Sequence, residues 1–187
     1  MLLKEAVEHC QQQGQPVRLH VGCGSRIFDG YLNVDGEYMR EDPRVIIHDI
    51  TTAFPLEENT VSEILSVHVL EHITRGRVKL MLQEWYRILK PGGFVAVEWP
   101  DFLKMCREVV NNPQCLFSDA DRRLQKRSIL GIYGDNERYP DPVMWHKWGY
   151  SEESMSRLLL ESGFSRTEVQ NNLHSKTPND SRVVGWK

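Results

Sequence analysis

Two rhythms of apolar positions alternate along the chain. Short runs at 17–22, 31–35, 45–49, 63–70 and 94–99 read as strands. The first, third and fifth are nearly continuous in apolar residues, as in parallel strands covered on both faces. Residues 2–13 repeat at helical spacing, with Leu2, Leu3, Ala6, Val7 and Cys10 on one face, and Gly14 and Pro16 stop the helix. The clearest helix spans 74–89. Thr74 stands where a cap is needed, Leu82, Trp85 and Leu89 share a face, and Lys90-Pro91-Gly92-Gly93 ends it. A further helix at 152–162 carries Ser151 as N-cap, Glu152 and Glu153 at its positive end and Gly163 at C′. Residues 167–170 and 183–186 close the pattern as a late antiparallel pair.

Strand–helix alternation of this kind predicts an α/β fold. The expected architecture is a doubly wound, mostly parallel sheet of about seven strands with a late antiparallel strand. Residues 1–187 read as a single domain. Within it, 101–150 break the rhythm with Pro113, Gly131, Gly134, Pro140 and Pro142, and read as a helical and loop insertion over the carboxyl edge of the sheet.

Composition narrows the function classes. A net charge of −3, with 40% hydrophobic and 26% charged residues, is that of an ordinary globular protein and argues against general nucleic-acid binding. The basic run Arg122-Arg123-Leu124-Gln125-Lys126-Arg127 reads first as a solvated helix face and second as a phosphate contact. Cys10, Cys23, Cys106 and Cys115 form no C-x-x-C pair, so neither a zinc site nor a disulfide framework is expected. No run of roughly 20 apolar residues is present to span a bilayer, and the first residues lack a secretory pattern. The expected location is the cytoplasm.

Candidate chemistry starts where the first strand meets Gly22-Cys23-Gly24 and the second ends in Asp35. In a parallel sheet these two strand ends lie side by side at the ligand-binding edge. Gly22 and Gly24 let backbone approach a ligand closely, and Asp35 is suited to accept hydrogen bonds from two ribose hydroxyls. A dinucleotide fingerprint is not met: Ile27 stands where a third glycine belongs, and an acid is wanted ~20 residues on, whereas Asp35 comes too early. The step from Gly24 to Tyr31 is also too short for a three-turn helix, which takes about 11 residues.

His20-Val21-Gly22-Cys23-Gly24, Gly30-Tyr31-Leu32-Asn33-Val34-Asp35, His48-Asp49-Ile50, His68-Val69-Leu70-Glu71-His72 and Arg87-Ile88-Leu89-Lys90-Pro91-Gly92-Gly93 occur in this order. Together they resemble the class I S-adenosylmethionine-dependent methyltransferases, closest to a small methyltransferase-11-like subset often linked to polysaccharide biosynthesis. The resemblance implies a Rossmann-like fold, S-adenosyl-L-methionine as cofactor, and methyl transfer to an oxygen or nitrogen of a small-molecule or glycan acceptor. It places Gly22 and Gly24 at the methionine moiety, Asp35 at the ribose, Asp49 at the adenine amine, Ile50 on the ring and His68 on the sulfonium side. Glu71 and His72 would shape the site floor.

Two positions depart from the family pattern. His20 replaces a common acid and Arg26 a common glycine; Arg26 is then a candidate partner for the cofactor carboxylate. These departures keep a non-catalytic, cofactor-binding protein as the alternative. His146 and His68 are the candidate bases, since an imidazole of pKa ~6.5 suits proton removal from a hydroxyl. The string H-x-x-E-H also occurs in a zinc motif that requires both histidines on one helix. Here His68 ends a strand, so no metal is expected.

Overall fold

The computed structural model describes residues 2–36, 42–175 and 177–187. Seven strands form one sheet: β1 (Arg18–Val21), β2 (Leu32–Asp35), β3 (Val45–Ile47), β4 (Val61–Val67), β5 (Leu89–Pro100), β6 (Arg166–Gln170) and β7 (Asp180–Trp186). Their order is β3-β2-β1-β4-β5-β7-β6. The first five pair in parallel, and β7 runs antiparallel to both β5 and β6. The chain reverses its direction of travel across the sheet between β1 and β4, the place where open α/β sheets bind ligands.

Strand alternation divides the core unequally. Leu19, Val21, Ile64, Val95, Val97 and Trp99 face one side, where α1 (Leu3–Gln12), α2 (Arg75–Ile88) and α6 (Glu152–Glu161) bury Val7, Leu82, Trp85 and Leu159 against them. Each large side chain fully buried in this layer contributes roughly 1.5–3 kcal/mol. The opposite face is a smaller cluster of Leu65, Val67, Ala96 and Val184, flanked by Phe28, Tyr31, Phe94 and Trp186. No helix lies between β1 and β2 among the described residues; the compact turn 22–31 supplies Phe28 and Tyr31 instead.

Some boundaries differ from the pattern in the sequence. Leu2 is 70% exposed, because α1 begins after it. β3 ends at Ile47, since Asp49 Oδ1 accepts from both the backbone N–H and the hydroxyl of Thr51 and turns the chain away. Thr74 precedes α2 without a side-chain cap bond, whereas Ser151 Oγ accepts from Ser154 N–H as a cap should. β5 begins at Leu89, pairing with Val61 before the Gly92-Gly93 irregularity.

The 101–150 segment is largely helical: α3 (Phe102–Asn111), α4 (Arg122–Lys126), α5 (Ile129–Tyr133) and two 3-10 turns. Arg122 pairs with Asp135 and Arg127 with Glu108, so the basic run meets acids of its own segment.

Candidate functional site

The carboxyl ends of β1 and β2 are tied together by one carboxylate. Asp35, buried at the end of β2, accepts from Gly24 N–H at 2.5 Å and from Gly36 N–H at 2.7 Å. Each of its oxygens thus has a protein donor and still has lone-pair capacity for a further one. Gly22 has φ +72, and a Cβ there would overlap the methyls of Val69. Gly24 has φ +51 and no heavy atom within 4 Å of where a Cβ would stand, which leaves open space beside Asp35. A ribose against the carboxylate and a chain of atoms over Gly24 fit this arrangement.

The turn after β1 is held by Asn33. Its Oδ1 accepts from Phe28 N–H at 3.0 Å, and its Nδ2 donates to the carbonyls of Phe28 and Tyr31. His20, fully buried in β1, brings Nδ1 to 3.1 Å from the same Oδ1 and packs its ring 4.6 Å from that of Phe28. Burial, ahead of the Asn33 contact that opposes it, lowers the His20 pKa to about 4. His20 is therefore a core side chain whose burial favours the neutral form. Arg26 is exposed on the same turn.

Asp49 is exposed beyond β3, held below the usual carboxylate range by the Thr51 backbone N–H despite some burial. Ile50 is half-buried against the core. His48 N–H donates to the carbonyl of Asp35, which joins this corner to the β2 end.

The turn after β4 carries more charge. His68 has φ +57, a left-handed conformation that non-glycine residues seldom adopt. Its Nδ1 lies 3.3 Å from Glu71 Oε1, and its Nε2 lies 3.2 Å from Asp180 Oδ2 and 3.3 Å from Ser175 Oγ. Burial works against the charged form, yet the Asp180 and Glu71 carboxylates raise the pKa to about 10. Both ring nitrogens of His68 thus face a carboxylate, an arrangement that favours the charged imidazolium. Glu71 is buried, and although burial opposes it, His68, His72 and His146 hold its carboxyl low.

His146 arrives from the end of the 101–150 segment. Its Nδ1 lies 2.9 Å from the Gly131 carbonyl, so this nitrogen donates and Nε2 keeps the lone pair. Its ring packs edge-on against His72 at 4.8 Å, and the carbonyl of Glu71 accepts from Lys147 N–H at 2.7 Å. Burial lowers the His146 pKa, ahead of the nearby Glu71 that raises it. His68 and His146 both converge on Glu71. Asp101 caps α3 by accepting from Lys104 N–H at 3.0 Å, and also receives Glu152 N–H and the Ser181 hydroxyl.

Several residues of this edge carry no local signal. Asp180 reaches His68 because β7 enters the sheet opposite Pro100, at the carboxyl end of β5. Glu98 accepts from the backbone N–H groups of Leu173, His174 and Ser175 and pairs with Arg182 at 2.7 Å, both side chains buried. This anchors the loop before β7, whose His174 ring lies 4.7 Å from that of Phe28.

Comparison with known proteins gives a consistent result. The methyltransferase-domain family matches residues 19–97. No curated protein sequence matches the chain. Among solved structures, an S-adenosylmethionine-dependent methyltransferase from Archaeoglobus fulgidus aligns with a TM-score of 0.61 at 15% identity, covering 98% of this chain and 94% of its own. An S-adenosylmethionine-dependent methyltransferase from Mesorhizobium loti gives 0.59 at 13% identity, covering 91% and 90%. A Thermotoga maritima protein described as a possible histamine N-methyltransferase gives 0.54 at 18% identity, covering 97% and 87%.

Proposed function

We propose that the chain is a class I S-adenosylmethionine-dependent methyltransferase, as the match of residues 19–97 to the methyltransferase-domain family supports, and that it methylates an oxygen or nitrogen of a small-molecule or glycan-end acceptor. The observation that carries the reading is the Asp35 carboxylate, bonded to Gly24 and Gly36 beside the open space over Gly24. Asp35 takes the ribose hydroxyls, Gly22 and Gly24 admit the methionine chain, Asp49 and Ile50 take the adenine, and Arg26 meets the carboxylate. S-adenosylmethionine supplies a methyl group on a sulfonium, so the acceptor's lone pair forms the new bond as the carbon–sulfur pair withdraws to sulfur.

The protein's part is then alignment and exclusion of water, which supplies up to roughly 7–11 kcal/mol when the reacting atoms are well placed. His68, pinned between Glu71 and Asp180, acts as a positioning residue at the acceptor end. His146 is the candidate to receive the proton of an acceptor hydroxyl, because Nδ1 is engaged by Gly131 and Nε2 is not. The net charge of −3 favours a small or glycan acceptor over a nucleic acid, and the four free cysteines favour a reducing, cytoplasmic location. No helix of the described residues is long and apolar enough to cross a membrane.

Calorimetric titration of S-adenosylmethionine and S-adenosylhomocysteine into the protein and into Asp35→Ala tests the reading. Micromolar binding lost in the variant, followed by methylation of a hydroxyl or amine acceptor, supports it. Equal binding by both proteins overturns the assignment of Asp35, and no binding by either overturns the cofactor reading.

A further inference from the structure

Glu71 is the most poorly satisfied buried group on the working edge. It is 2% exposed, yet neither carboxylate oxygen receives a well-aligned hydrogen bond, and Oε1 has only the ion-pair contacts with His68 at 3.3 Å and His72 at 4.0 Å. Beside it, Nδ1 of His72 and the hydroxyl of Tyr150 are also buried without a partner. Native structures leave few such groups, and each points to something that completes it.

Two buried carboxylates, Glu71 and Asp180, also flank the one His68 side chain. The neighbouring cations are engaged elsewhere. Arg182 is paired with Glu98, Lys104 is paired with Glu152, and the Arg75 guanidinium lies 5.3 Å above the Trp148 ring. A buried carboxylate without full compensation is costly, and added positive charge at this point offsets that cost.

The donors present define what would bind. Glu71, His72 and His146 each offer one ligand atom, and the three atoms lie within 4.8 Å of one another. We propose that these three residues form a site for a divalent cation of the zinc class, at the acceptor end of the methyl-transfer site. One carboxylate and two imidazoles suit such a borderline metal, and three protein ligands leave a position open. A cation ~2.0–2.2 Å from each donor requires them to draw in by about an ångström. The Gly131 carbonyl, accepting from His146 Nδ1–H, is the outer partner that fixes the tautomer of a ligating imidazole.

This arrangement differs from the helical H-x-x-E-H motif. His68 is not a ligand, and the third donor comes from the far end of the 101–150 segment, which no short string in the sequence brings near Glu71. The inference rests on the proposed methyl transfer for its role. The open position takes the acceptor's hydroxyl, and His146 serves as ligand instead of base.

The test is to strip the protein with a chelator and titrate Zn2+ by calorimetry and Co2+ by visible absorption, with S-adenosylhomocysteine titrated in parallel. One ion per chain is expected, with cobalt d–d bands of a low-coordinate site. His72→Ala and His146→Ala should each weaken uptake by more than about 100-fold, the upper end for loss of an outer partner, with binding of S-adenosylhomocysteine unchanged. No uptake by a protein that binds S-adenosylhomocysteine overturns the proposal; water then completes Glu71, and methyl transfer with His146 as base stands. Uptake that both variants retain places the ion elsewhere and also overturns it. Uptake at this site without S-adenosylhomocysteine binding keeps the metal site and removes the methyltransferase role given to it.

Discussion

The turns that follow β1 and β4 touch where Gly22 meets Val69, yet they solve the same problem in opposite ways. After β1, most polar groups are spent on one another: Asn33 serves the backbone of Phe28 and Tyr31, Asp35 serves Gly24 and Gly36, and His20 meets Asn33 through Nδ1, with only its Nε2 buried without a partner. After β4, a histidine sits in a left-handed conformation between two carboxylates, and the Glu71 oxygens and His72 Nδ1 go without good partners. One turn is a nearly completed frame, to which the proposed function assigns the nucleoside. The other carries unspent binding capacity, which is where chemistry at the acceptor is expected.

The largest test of this contrast concerns what holds the second turn. Glu98→Gln should cost about 3–5 kcal/mol in urea unfolding, because Arg182 is left buried without its counter-charge. It should also loosen the loop that carries Ser175 to His68, read as faster hydrogen exchange at Leu173, His174 and Ser175. A change below 1 kcal/mol, on the scale of an exposed pair, would show that the loop does not depend on Glu98.

Joining the two turns more tightly comes next. Gly22→Ala forces both a left-handed alanine and an overlap with Val69, an expected loss of about 3–4 kcal/mol. Adding Val69→Ala should return the packing part of that loss and not the backbone part. A double variant no better than the single one would mean that the contact is not what makes Gly22 necessary.

Acid sharpens the frame itself. His20 titrates at about 4 in the folded protein, and its ordinary value is 6.5. Between these values the unfolded chain binds a proton that the folded chain refuses. The His20 contribution is therefore complete above pH 6.5 and is lost as pH falls towards 4, a change of about 3 kcal/mol. Urea midpoints from pH 7 to 4 should fall less steeply for His20→Leu than for the parent protein. Parallel slopes would place the acid sensitivity elsewhere.

The smallest effect is expected at the rim. Arg26→Ala should raise the dissociation constant for S-adenosylhomocysteine by no more than about fivefold, since an exposed charge contributes little. A larger loss would make Arg26 part of the frame.

The frame was legible in the sequence for a local reason. Gly22, Gly24 and Asp35 lie within one strand–turn–strand unit, and the shortness of the step to Tyr31 already excluded a full helix there. The sheet followed from the same periodicity. The second turn was legible only in part: His68, Glu71 and His72 stand together in the chain, but their partners do not. Asp180 comes from a register between antiparallel strands, and His146 from the folding of 101–150 onto the sheet edge. Glu98 with Arg182 is a cross-strand pair of the same kind. Side chains that meet through register or tertiary packing leave no spacing to read, so the lowered pKa of His20 and the raised pKa of His68 were equally hidden.

The reversed strand β7 also has a consequence in time. A ribosome delivers β1 to β5 first, and five parallel strands are already available to pair before β7 emerges. Because β7 starts, and does not finish, at the working edge, Ser175 and Asp180 reach His68 only after the strands beneath them exist. The nascent chain therefore has Asp35 and His68 before it has the Asp180 that meets His68, and that contact can form only once β7 has been made.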